Sequence, residues 1–523
     1  MQPPRDTTRD VWSITFSWIE GLLERPWIMW LFVFLVAVVY IVSFPWAGDD
    51  TFEMIATVRA ASENLVHPQN PMLDLPGDTS PRFTPYAMTW AVIVRLLGVS
   101  AVSTIQFSAI INLILFATGL SRLLRVEYRD KRLVTMLVPI MLVCWGSGFA
   151  MANGYYWLLF FMSLTYVAVF AYGVGFHALA ELAHFLKSKR SRHLWSYAIL
   201  SLVVFLSHPI TGVFVFMVAA VMAFFESSAK RTLLLQAVPF AAVAAIIFWP
   251  YFDYLKTLTS GAAGHWYKEI MFANQISAIG VALVGVPLAV WYGIRRQHLP
   301  VVLLLGLFSC GYFLSWALDI SIGARFLFFA MLTMHLLLAL YALETFDKLR
   351  QSPRPIPVRL VSRVVLILAV VLVGVKMRGW EIKHSGEIAL RLIGALPEEV
   401  SVKDRYAFLE NDLGAGDIVL AEGETGWPVP GMTGARLVYH QHGNPLLADE
   451  LETRLNATTR FLSNVDSEDE MLEAARKYHV SHVLVDLKRV DSYAPGLFNK
   501  LDDIGTRVED RDSLLLYRIN TTK

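Results

Sequence analysis

From Trp27 to about Arg378 the chain is a succession of apolar runs, and no other feature constrains its fold so tightly. The runs fall near 27–46, 99–121, 133–150, 155–178, 194–207, 211–226, 232–250, 275–294, 299–318, 325–346 and 361–378, about eleven in all. Crossing about 30 Å of hydrocarbon takes about 20 helical residues, whose backbone polar groups are then satisfied within the segment. The expected fold class is therefore a multi-spanning α-helical membrane protein with about eleven transmembrane helices. The two runs flanking His208 and Pro209 are short enough to form one broken re-entrant element instead. Composition agrees, with 55% of the 523 residues hydrophobic, only 17% charged and a mean hydropathy of +0.49. Soluble domains hold roughly 45–50% apolar residues. A formal net charge of +1 provides no global field for nucleic acid.

The basic residues orient the spans. With a cytoplasmic N-terminus, the inner loops hold Arg122, Arg125, Arg129, Lys131 and Arg132, then Lys187, Lys189, Arg190 and Arg192, Lys230 and Arg231, Arg295 and Arg296, and Lys348, Arg350, Arg354, Arg359 and Arg363. The outer loops hold only Arg59, Arg82, Lys256, Lys268 and Arg325. The bias runs the same way at every loop, and losing a span at His208 would reverse it in all later ones. The N-terminal segment mixes acids with arginines and lacks a small-residue cleavage site, so the first span reads as an uncleaved anchor. Residues 11–24 read as an amphipathic helix on the membrane surface. Cys144 and Cys310 both sit in apolar runs and give neither a disulfide framework nor a metal site.

After about residue 380 the spans stop and charges return. GDIVLAEG, ARLVYH, HVSHVLVDL and SLLLYRI are β-rich, while DEMLEAARKYH and Leu447 to Leu462 have helical spacing. Strands alternating with helices predict a small extracytoplasmic α/β domain over 381–523, following a transmembrane domain over 1–380 with outer loops at 47–85 and 251–274.

The first span ends in an acidic pair, Asp49 and Asp50, behind Pro45 and Gly48. Residues 51–65 have the spacing of a helix lying along the outer surface, and Asp50 to Glu53 fit the D-x-x-E form of a capping box. A cap uses Asp50 and leaves Asp49 at the outer interface, where a carboxylate is a functional candidate by default. A long outer loop follows, VHPQNPMLDLPGDTSPRFTPY, with His67, Asp74, Asp78 and Arg82; a second, residues 251–275, carries Asp253, Lys256, His265, Trp266, Tyr267, Lys268 and Glu269. Aromatics beside acids and bases suit a polar ligand with stackable faces, such as a sugar.

An acidic pair closing the first span (GDDTFE), a juxtamembrane helix, a large first outer loop, many spans and a C-terminal extracytoplasmic α/β domain together resemble the GT-C class of membrane glycosyltransferases. That class includes protein O-mannosyltransferases and the aminoarabinose and arabinofuranosyl transferases. The resemblance implies an inverting glycosyltransferase of the cytoplasmic (inner) membrane. Its donor would be a polyprenyl-phosphate sugar and its acceptor an extracytoplasmic hydroxyl on a cell-envelope glycan, lipid or protein. The hydroxyl needs a carboxylate base, and the departing phosphate needs cations.

The base is accordingly expected in the pair Asp49 and Asp50, with Asp49 favoured because Asp50 is occupied by the cap. Donor phosphate binding is expected from Arg325, Arg59, Arg82, Lys268 and His265, and substrate binding from Glu53, His67, His208, Trp266, Tyr267 and Glu269. Arg325 reads equally as an interfacial anchor, Arg59 and Arg82 as solvated surface, and His208 as a satisfied polar residue. Some class members use a divalent cation (Mg or Mn) and others none; no His/Asp/Glu cluster here has a diagnostic ligand spacing, so the metal is unassigned. The i, i+2 histidines of HQHG (His440 to Gly443) give no ligand signal at a strand end, and Trp427 reads as loop packing rather than a sugar platform. Asn456 and Asn520 open glycosylation sequons.

Three other classes fit parts of the pattern. A transporter or flippase of lipid-linked glycans calls for charges inside spans or paired broken segments in two halves, and only the His208 break is present. An O-antigen ligase or polymerase places its chemistry in a late loop and lacks the acidic pair. A membrane scaffold with a binding domain leaves the outer-loop polar residues unexplained.

Overall fold

The computed structural model describes residues 16–43, 49–75, 79–147, 154–226, 229–254, 256, 272–352, 357–397, 400–442, 444–463 and 467–520. Among them, eight helices are long and apolar enough to cross a membrane: Pro26–Ser43, Ala101–Tyr128, Val167–Ser188, Pro209–Glu226, Ser277–Ile294, Leu299–Ala317, Ser321–Gln351 and Val358–Met377. Pro85–Leu97, Arg132–Val143 and Ala237–Ile247 are shorter apolar helices. The eight are fewer than the eleven apolar runs because hydropathy reads through backbone breaks. The run at 155–178 is divided by a 3-10 turn, Ser163–Thr165, and an extended Tyr166, and Ser191–Ser207 holds only 17 residues. At the His208 break the first helix stops on a non-helical residue and Pro209 opens the next, its missing N–H costing nothing at a first-turn position. Two helices meet there.

The chain divides into two compact units. The first holds Met1–Val39, Ile110–Ala244 and Gly264–Leu390. Its most enclosed helices are Val167–Ser188 and Ser321–Gln351, joined by interlocked rings that include Tyr172, Phe214, Phe308 and Phe329. Lipid tails are as apolar as leucine, so small residues that let helices close up are what hold such a bundle together. At the crossing of Ala101–Tyr128 and Val167–Ser188, a Cβ on Gly119 would fall 2.5 Å from the Gly173 carbonyl oxygen.

The second unit gathers Tyr40–Ala109, Ala245–Ala263 and Arg391–Lys523. Its centre is a five-stranded sheet of order β2-β1-β3-β5-β4, with β1 (Ile418–Ala421), β2 (Arg436–Leu437), β3 (His482–Asp486), β4 (Gly505–Arg511) and β5 (Leu514–Ile519). β1 runs parallel to β2 and β3, while β5 is antiparallel to β3 and β4. β3 is buried along its whole length, as expected of a central strand covered on both faces. The first outer loop joins this sheet: Leu73 bridges Leu437 in parallel, Leu437 N–H donates to the Met72 carbonyl (2.8 Å), and Arg436 pairs with Asp74 at 2.7 Å. That pairing is why residues from the N-terminal third belong to the same unit as the C-terminal domain.

The helix Asp49–Glu63 packs against a short helix, Pro428–Thr433. A Cβ on Gly431 would lie 2.8 Å from the Phe52 carbonyl oxygen, closer than real contacts allow. Arg59 donates to the carbonyls of Gly431 (3.1 Å) and Met432 (2.7 Å) at the end of that helix, where carbonyls lack partners within the helix. Gly431→Ala is therefore expected to destabilise this unit by about 1–3 kcal/mol, the usual cost of overpacking, read as a lower thermal midpoint.

Candidate functional site

Four segments of the second unit bring polar side chains to one place. The first is the helix Asp49–Glu63. The helix is described from Asp49, with Asp50 in its first turn, facing Arg82 and His442. Asp50 and Glu53 are three residues apart and share a face. The Asp49 side chain lies outside the described residues.

The second segment is Ser80 to Tyr86, where Thr84 caps the helix Pro85–Leu97, Pro85 occupies its first position and Gly98 closes it in the left-handed region (φ 65°). Tyr254 donates to the Pro81 carbonyl (2.9 Å) and Trp249 to that of Phe83 (2.8 Å), so Arg82 is held from both sides. The third and fourth segments leave the carboxyl ends of the parallel strands β1 and β2, where open α/β sheets commonly place their sites. They carry Trp427, and His440 with His442.

The side chains converge on Glu53, which has no solvent exposure. Arg82 forms an ion pair with its Oε2, His442 Nδ1 lies 2.6 Å from its Oε1, and His440 Nε2 lies 3.7 Å from the same oxygen. Asp50 is 46% exposed, with its Oδ1 3.6 Å from Arg82 and 3.8 Å from His442 Nδ1. The Trp427 ring stands edge-on to His440 and His442 at centroid distances of 4.6 and 4.8 Å. Burial pushes the His440 imidazole down to about 4, against the pull of Glu53, so it is neutral at physiological pH. The arrangement therefore offers one accessible carboxylate beside a buried, fully engaged one and a fixed guanidinium.

Asp50, Glu53 and His442 each bring one ligand atom within 4.8 Å of the others, the spacing a divalent cation needs. The Arg82 guanidinium stands among the same atoms: it pairs with Glu53 Oε2, lies 3.6 Å from Asp50 Oδ1 and 3.2 Å from His442 Nδ1, while that nitrogen is 2.6 Å from Glu53 Oε1.

The remaining expected site residues lie elsewhere. Arg59, expected at the donor phosphate, is committed to the Gly431 and Met432 carbonyls. His67 is exposed, its backbone N–H on Asn64. His265, Trp266, Tyr267, Lys268 and Glu269 lie outside the described residues. In the bundle unit, His208 is buried with Nδ1 2.7 Å from Thr211 Oγ1, and Arg325 lies within electrostatic reach of both His208 and Tyr172.

His440, His442 and Trp427 were not expected in a site. The sequence held little signal for them: the chain bends at Val438 just after β2 and turns at residues 441–442, so no strand alternation marks His440 and His442.

No protein-family profile and no curated protein sequence matches this chain. Among solved structures it is similar to the arabinofuranosyltransferase AftD from Mycobacteria, with a TM-score of 0.52 and 14% identity, over 95% of this chain and 40% of that one. The chain thus spans about two fifths of that protein's length. At this identity the likeness is one of fold alone.

Proposed function

We propose that the chain is a membrane glycosyltransferase that moves a sugar from a polyprenyl-phosphate donor to an extracytoplasmic hydroxyl of a cell-envelope glycan, lipid or protein, with inversion. In this reading it sits in the cytoplasmic (inner) membrane with its N-terminus inside and the sheet domain outside. The observation that carries the proposal is the pairing of accessible Asp50 with Arg82-bound Glu53 on the juxtamembrane helix of a GT-C-like fold.

The acceptor oxygen attacks the anomeric carbon as the bond from that carbon to the phosphate oxygen breaks. The hydroxyl proton passes to Asp50, whose exposed carboxylate is the one left unburied in the cluster. The electron pair leaves with the polyprenyl phosphate, which departs as an anion and needs no proton. Arg82 supplies fixed positive charge beside the reacting acid.

Transfer of labelled sugar from a panel of polyprenyl-phosphate donors to host membrane glycans tests the reading. Wild-type protein is expected to transfer from at least one donor. Absence of transfer from every donor by folded wild-type protein overturns it.

A further inference from the structure

The Glu53 carboxylate is met from outside its own helix by Arg82 and by two imidazoles that the β2 segment carries. The partners fix the tautomers. The backbone N–H of His442 donates to His440 Nδ1 at 3.2 Å, so that nitrogen holds a lone pair and the ring proton of neutral His440 sits on Nε2. That buried Nε2 has no hydrogen-bond partner among the described residues and lies nearest Glu53 Oε1, at 3.7 Å. His442 Nδ1 lies 2.6 Å from the same oxygen and 3.2 Å from the Arg82 guanidinium; a carboxylate only accepts, so the shorter contact is an Nδ1–H given to Glu53. Trp427, 2% exposed, stands edge-on to both rings and limits their rotation.

We infer that His440 and His442 are positioning residues: the His442 Nδ1–H binds Glu53 and the His440 Nε2–H faces it from 3.7 Å, and together they aim Glu53 and through it hold Arg82 beside Asp50. The C-terminal domain thereby completes the site instead of only presenting an acceptor. His442 acts through Nδ1–H, and neither a base at its Nε2 nor a metal bond at its Nδ1 is part of the device. The kinetic test of this role rests on the transferase reading; the stability test rests on the geometry alone.

Asparagine can place an N–H where histidine Nδ1 stands, and glutamine where Nε2 stands, so paired variants of the full-length protein separate donation from other uses of the ring. His442→Ala is expected to lower kcat by about tenfold to a hundredfold, the scale of lost orienting partners, with KM little changed, and to lower the thermal midpoint by several degrees. His442→Asn is expected to restore both within severalfold of wild type, and His440→Gln to exceed His440→Ala in the same two measurements. If His442→Asn is as defective as His442→Ala in rate and in midpoint, the ring itself is required and the inference fails. It fails as well if His442→Ala matches wild type. Should wild type transfer no sugar at all, the midpoints of the alanine and asparagine variants still decide whether the donors hold Glu53.

Discussion

Asp50→Asn is expected to lower sugar transfer by more than about a hundredfold while the protein stays folded, because an amide cannot take the acceptor's proton. The substitution keeps the size and the helix position of the side chain, and Asp50 is half exposed, so little stability is at stake. The matched variant is Asp49→Asn. With Asp50 facing Arg82 and His442, Asp49→Asn is expected to retain transfer within about tenfold, less than the loss of a general base. Initial rates at matched expression, with the thermal midpoint of each variant as control, make the comparison. If the two effects are reversed, the base is Asp49. If both variants transfer as wild type, the acids only start a helix and the transferase mechanism fails.

Glu53→Ala is expected to be the most destabilising change in the second unit. It removes a carboxylate with no solvent exposure and leaves the Arg82 guanidinium and two imidazole donors facing a void. Breaking a buried ion pair from one side costs about 3–5 kcal/mol, since the surviving charge is still desolvated. At roughly 2–4 °C per kcal/mol for a unit of this size, the midpoint should fall by about 10 °C. Glu53→Gln keeps one acceptor oxygen and should lose less. Thermal unfolding and limited proteolysis of the full chain in detergent read both, and a midpoint within a degree or two of wild type for Glu53→Ala would mean the cluster bears no load.

Glu53 also shows how far the sequence could be read. The acidic pair, the helix that carries Glu53 and the long loop that carries Arg82 were legible, because span ends, helix starts and loop length are local properties of the chain. From the sequence, Glu53 reads as a capping-box residue and a substrate contact. Its histidine partners, His440 and His442, lie hundreds of positions away, and no spacing rule connects them to it or picks Arg82 out of the first outer loop.

By itself the sequence determined that this is a multi-spanning helical membrane protein ending in a small α/β domain. Hydrophobic burial and backbone satisfaction in lipid act segment by segment, and leave a periodic record along the chain. Only the tertiary structure decided which side chains meet. The bridge from Leu73 to Leu437 and the close approach of Gly431 to Phe52 bring the first loop, the juxtamembrane helix and the sheet into one unit. Such contacts arise from packing between elements far apart in sequence, where the composition of either partner alone says nothing about the other.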